Sequence, residues 1–245
     1  MMDTSYCIKK PIMSSIIAVI FFLFVIIISG AVSSITGLSS KITLFMAFSI
    51  LGMLLAVYIN KIKYWQYYGF SSLKYLNTKN KLLFVPLFII ALLPLTVGLS
   101  NDLRISDYFY IVFFMAIVAF TEEIMFRGVV FRLLQRKSNL TAVLGSCLLF
   151  SVPHMLNLLN GKDLIQTITQ VIFALLIGLI SAILIVKTQN ILPLIMFHFI
   201  NNTVNSIIST NVDLDLSILL NFIIFGFGSM YLLFIYISMG FSLKG

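Results

Sequence analysis

IMSSIIAVIFFLFVIIISGAV, residues 12–32, runs without a charged side chain. A helix that crosses a bilayer needs about 20 consecutive apolar residues, and this stretch supplies them. Lys9 and Lys10 precede it, as basic residues precede a signal peptide, but the apolar run exceeds an ordinary signal core. It therefore reads as an uncleaved first span. Seven more apolar stretches follow, at roughly 42–60, 82–100, 108–131, 140–159, 164–186, 190–209 and 216–238. Lipid offers the backbone no hydrogen-bond partner, so each is read as a helix. The expected fold is all-α, a polytopic transmembrane helix bundle of about eight spans.

Composition agrees. Of 245 residues, 60% are hydrophobic and 10% charged, where a soluble domain carries about 25% charged residues. No room is left for a sizeable soluble domain. The formal charge of +8 would suggest nucleic acid on a soluble protein. Here the lysines fall in loops, where they suit an anionic cytoplasmic leaflet, so the expected partner is the lipid bilayer and not nucleic acid. The two cysteines, Cys7 and Cys147, are far apart and form no disulfide or metal motif.

Charge also sets the orientation. With the N-terminus inside, the inner segments hold Lys9, Lys10, Lys61, Lys63, Lys74, Lys79 and Lys81, then Arg132, Arg136, Lys137, Lys187 and Lys244. The outer segments hold only Lys41, Arg104 and Lys162, together with Asp102, Asp107, Asp163, Asp213 and Asp215. An excess of positive charge inside predicts an N-in, C-in protein in the cell membrane. The longest loop, 61–81, mixes five lysines with Trp65, Tyr67, Tyr68 and Tyr75 and reads as a cytoplasmic interfacial belt. The chain divides into an N-terminal part, 1–100, with spans one to three, and a functional core, 101–245. Pro86 and Pro94 are expected to kink span three.

Charges inside a membrane helix cost about 2.5–3.5 kcal/mol each on insertion scales, so they mark functional candidates. One span carries three, in Thr121-Glu122-Glu123-Ile124-Met125-Phe126-Arg127-Gly128. Glu123 and Arg127 are four apart and share a helix face, which suits an ion pair that staples helices. Glu122 is rotated by about 100° from Glu123 and has no counter-ion on its own helix. That leaves it as a general base or acid.

Both histidines of the chain fall within apolar spans. His154 sits in Phe150-Ser151-Val152-Pro153-His154, and His198 in His198-Phe199-Ile200-Asn201-Asn202. A buried histidine is more often a satisfied core residue than a ligand, but here each has a polar or helix-breaking neighbour. His198 and Asn202 share a face at i,i+4, whereas Asn201 points about 100° away. These residues fit hydrolysis. Glu122 with His154 could hold and deprotonate water, and His198 with Asn202 could donate to the oxyanion of a tetrahedral intermediate. Glu122, His154 and His198 also make a zinc-ligand set with a fourth position for water, so residue types alone leave the two versions open. The sequence has no His-Glu-x-x-His motif, no Gly-x-Ser-x-Gly elbow and no intramembrane aspartate pair.

The three elements resemble those of the CAAX-protease and bacteriocin-processing (CPBP) family of membrane peptidases. Its motifs EExxxR, FxxxH and HxxxN are matched in order by Glu122-Glu123 with Arg127, by Phe150 with His154 and by His198 with Asn202. The resemblance spans roughly 107–209 and implies an intramembrane endopeptidase. In it Glu122 activates water, Glu123 and Arg127 support it, His154 shares the water, and His198 with Asn202 stabilises the oxyanion. It further implies a peptide or protein tail as substrate, reaching the site from membrane or cytosol, and a setting such as bacteriocin self-immunity or peptide maturation. The family has been described both as metalloproteases and as metal-independent glutamate peptidases. No cofactor is the favoured expectation, since asparagine suits a hydrogen-bond donor better than a zinc ligand. Rival readings are a transporter, which would call for inverted repeats not found here, and a non-catalytic immunity or scaffold protein.

Overall fold

A computed structural model describes residues 10–158, 161–209 and 212–238. Cys7, Lys9 and Lys244 lie outside the described residues. Eight helical spans follow one another: α1 Pro11–Thr36, α2 Ser40–Ile62, α3 Thr78–Val97, α4 Ile105–Gln135, α5 Asn139–Leu158, α6 Leu164–Thr188, α7 Leu192–Ile207 and α8 Leu214–Ser238. Among the described residues there is no β-strand, only a single bridge between Leu99 and Ile208. Seven of the helices are long and apolar enough to cross a membrane. The eighth, α7, is shorter, at 16 residues. The protein is a multi-pass membrane helix bundle, as the apolar pattern predicts.

Local chemistry explains the interruptions. Pro86 opens the helical piece Val85–Leu92 and Pro94 opens the 3₁₀ piece Leu93–Val97, so α3 is broken where its prolines lack an amide hydrogen. In α5, regular helix ends at Ser151 and a 3₁₀ stretch, Val152–Leu158, carries Pro153 and His154. In α4, regular helix ends at Glu123, and Ile124–Val130 winds in wider π-helical turns before α-helix resumes. Such turns are rare and often sit at functional sites.

The large core gathers Phe22, Phe126, Phe131, Phe150, Ile180 and Leu194 from five spans. Outward faces of the bundle stay apolar, with Phe21, Ile27, Met53 and Phe222 more than half exposed, as lipid contact requires. Two close approaches draw the elements together. A Cβ on Gly178 of α6 would come 3.0 Å from the Cys147 Cβ on α5, so a larger residue there would push these closely packed helices apart by a few tenths of an ångström. At one end of the bundle Gly69 has φ +90° and lies against Ile191, whose N–H donates to the Gly69 carbonyl at 2.9 Å. That end is closed by side chains too. Arg132 donates to Gln135 and to Gln189, each at 2.7 Å, and Asn190 Nδ2 donates to the Ser71 carbonyl at 2.8 Å.

Candidate active site

Glu122 and Glu123 end the regular part of α4, and His198 projects from the middle of α7 toward both. The Glu123 Oε1 lies 2.9 Å from His198 Nδ1 and 3.1 Å from Arg127 Nη1. On the other side of the same ring, His198 Nε2 lies 3.6 Å from Glu122 Oε2. One imidazole therefore bridges the two adjacent carboxylates. An ionised Glu123, paired with Arg127, can only accept a hydrogen bond. Nδ1 then carries the imidazole proton and Nε2 is left facing Glu122.

Phe150 organises the rest. Its ring meets those of His154 and His198 edge-on, with centroids at 5.4 and 6.0 Å. The Arg127 guanidinium packs 4.0 Å from its centroid, a contact that offsets part of the cost of burying the charge. Phe150 thus holds both histidines and the arginine around one aromatic side chain. His154 is steadied from α6, where Gln170 Nε2 lies 3.3 Å from its Nδ1. Gln170 Oε1 in turn accepts from Asn157 at 2.8 Å and from Lys162 at 3.3 Å.

These groups line one cavity of about 740 Å³. Glu122, Glu123, Arg127, His154, His198 and Asn202 all border it, so six positions from three separate spans come together. Arg127 and Glu123 are almost fully buried, while Glu122 keeps 15% of its side chain exposed toward the cavity. Glu123 Oε2 and Arg127 Nη2 are buried without a hydrogen-bond partner among the described residues, while Arg127 Nη1 faces Glu123 in the ion pair. Donor and acceptor capacity thus remains at the cavity floor.

The i,i+4 relation of Glu123 with Arg127 holds as an ion pair, and Glu122 is rotated off that pair as expected. Its partner comes from a distant helix, which spacing along α4 does not reveal. Asn202 reaches the cavity, but no hydrogen bond joins it to His198; its Oδ1 accepts from Asn201 Nδ2 at 3.4 Å. Asn201, expected to point away, borders the same cavity and is the more buried of the two. Gln170 escaped the sequence reading altogether. Its signal would have been a polar residue on an apolar span, one among several in the first turns of α6. Among the described residues no three His, Cys, Asp or Glu side chains stand close enough together, as arranged here, to share a metal ion.

Fold and site together define a polytopic membrane protein with a carboxylate–imidazole centre at the floor of an open cavity. Residues 104–204 match the family described as type II CAAX prenyl endopeptidase Rce1-like, in agreement with the resemblance of the three motifs to CAAX proteases. No curated protein and no solved structure gives a significant match to the chain.

Proposed function

We propose that this protein is an intramembrane endopeptidase in which Glu122 activates water against a peptide carbonyl. The observation that carries the reading is the set of close contacts around His198, with Glu122 on one nitrogen and the Glu123–Arg127 pair on the other, in a cavity that His154 and Asn202 share. The match to a CAAX endopeptidase family supports it.

In the reaction, water held between Glu122 and His154 gives a proton to Glu122 and its oxygen bonds to the substrate carbonyl carbon. Glu122 passes that proton to His198 Nε2. The ring then carries two protons beside Glu123 and becomes a donor as the oxyanion forms. Asn202 adds a neutral donor. Collapse of the intermediate breaks the C–N bond, and the proton on His198 goes to the leaving amine. Glu123, Arg127 and Gln170 position the reacting groups and exchange no atoms.

The substrate is a peptide or the tail of a membrane-associated protein, and bacteriocin self-immunity or peptide maturation is the setting proposed. Purified protein reconstituted with candidate peptides tests the reading. Wild type cleaves, and Glu122→Ala and His198→Ala keep the fold and do not. Cleavage that survives both substitutions, or transport of the peptide without cutting, sinks it. A chelator leaves turnover intact; loss of activity restored by zinc would instead favour the zinc version, with Glu122, His154 and His198 as ligands.

A further inference from the structure

Beyond the reacting groups the cavity runs on toward one end of the bundle. Its floor lies at mid-bundle, beside Glu122 and His198. Its far limit is marked by Lys162 and Asp163 before α6 and by Leu214 and Ser217 at the start of α8. Lys162, Asp163 and Leu214 are exposed. Helices α6 and α8 run parallel. Phe173 meets Phe225 edge-on at 6.3 Å, and Leu176 packs where Gly228 has no side chain. Phe173 and Phe225 line the cavity and Leu176 and Gly228 do not, while Gln166, Thr169, Ser217 and Asn221 line it on the side where the two helices start. The cavity therefore opens at the end where α6 and α8 begin.

That end is the one poor in positive charge. The segments there carry Lys41, Arg104 and Lys162 with five aspartates, whereas Lys61, Lys63, Lys74, Arg136, Lys137 and Lys187 lie at the end closed by Arg132, Gln189 and Asn190. Basic loops stay in the cytoplasm. Between floor and mouth the lining is largely apolar, with Ile165, Phe173, Ile218 and Phe225 among it, and neutral hydrogen-bonding side chains are set into it. It offers Gln166 and Thr169 from α6, Asn205 from α7, and Ser217 and Asn221 from α8. Amides and hydroxyls both donate and accept, and they match the repeating N–H and C=O groups of an extended chain.

We infer that the cavity opens on the extracytoplasmic side and takes an extended polypeptide segment presented there, such as a secreted peptide or the outer tail of a membrane protein. The inference rests on the peptidase reading for the substrate class, and on charge and geometry alone for the side. It differs from the access from membrane or cytosol expected from the sequence, because the cavity lining includes the exposed Lys162, Asp163 and Leu214 and does not include Arg132, Gln189 or Asn190 of the basic end.

Two measurements test it. In a Cys7→Ser background, Ser217→Cys and Arg136→Cys are probed in intact cells with a membrane-impermeant maleimide, and again after permeabilisation. The expected result is labelling of residue 217 from outside, at least tenfold over residue 136, with equal labelling after permeabilisation. The reverse pattern overturns the sidedness. Sealed proteoliposomes of each orientation then receive a mixture of unstructured decapeptides bearing a fluorophore and a quencher. Cleavage occurs where the Ser217 face is exposed, and in the other orientation only after detergent. Cleavage from the basic face overturns the inference. No cleavage in either orientation overturns the peptide half together with the peptidase reading, while the labelling still decides the side.

Discussion

At the basic end of the bundle, polar side chains bond to one another and to the backbone. Arg132, Gln135 and Gln189 are linked, Asn190 holds the backbone of the 61–81 loop, and Gly69 lies flat against Ile191. At the opposite end Gln166, Asn205, Ser217 and Asn221 border open space. The same residue types thus do two jobs in one protein. Where they pair across helices they lock the bundle, and where they face the cavity they set hydrogen-bonding groups along a largely apolar lining. The site sits where the two regimes meet, with Glu123 and Arg127 in the locked half and Glu122 in the open one.

Substitutions should separate the halves. The largest effect is expected at Glu122→Gln, which keeps size and removes the base. Cleavage per folded molecule should fall by about 10³-fold, with the melting temperature close to wild type; a fall of less than tenfold would mean the open half does not contain the base. Next comes Arg127→Met, which leaves Glu123 buried without its cation. Breaking such a pair costs about 3–5 kcal/mol, so thermal unfolding in detergent should shift strongly, and an unchanged melt would show that the pair is no staple. Asn202→Ala should lower kcat by about 10²-fold with little change in KM, as expected of a donor to the transition state. The smallest effect is at Asn190→Ala in the locked end. Loss of its bonds to the Ser71 carbonyl and from the Leu192 N–H should cost about 1–3 kcal/mol and leave turnover of the folded protein unchanged. A catalytic defect there would erase the distinction between the ends.

The sequence discloses the spans because lipid makes hydrophobicity itself the signal. All eight helices fall within a few residues of their expected limits, the first from Pro11 to Thr36 and the last from Leu214 to Ser238. Which faces meet is far less legible. A membrane helix is apolar all round, so periodicity does not mark its inner side. The motif residues escaped that limit because they are charged or polar where such groups are costly. Glu122, Glu123, Arg127, His154, His198 and Asn202 were all readable as candidates. That His198 stands between both glutamates was not readable, since regular helix geometry on α4 cannot specify a partner on α7, and the π-helical turns after Glu123 leave no mark in residue type. Gln170 was hidden for another reason: an amide on a span reads equally as lining, as a helix–helix bond or as a rim residue. The glycines tell the same story. Gly178 looks like any glycine in a transmembrane run until Cys147 is found against it.

The brevity of α7 has a consequence for the surrounding lipid. Its 16 residues span about 24 Å at about 1.5 Å per residue, less than the roughly 30 Å of a bilayer's hydrocarbon. Acyl chains beside it must compress, or headgroups must dip inward, to avoid stranding the helix ends. Thinning of this kind beside the exposed Met196 would bring interfacial water nearer to the depth of His198. Turnover should then depend on acyl-chain length, with short-chain bilayers easing hydration of the centre and long-chain bilayers starving it.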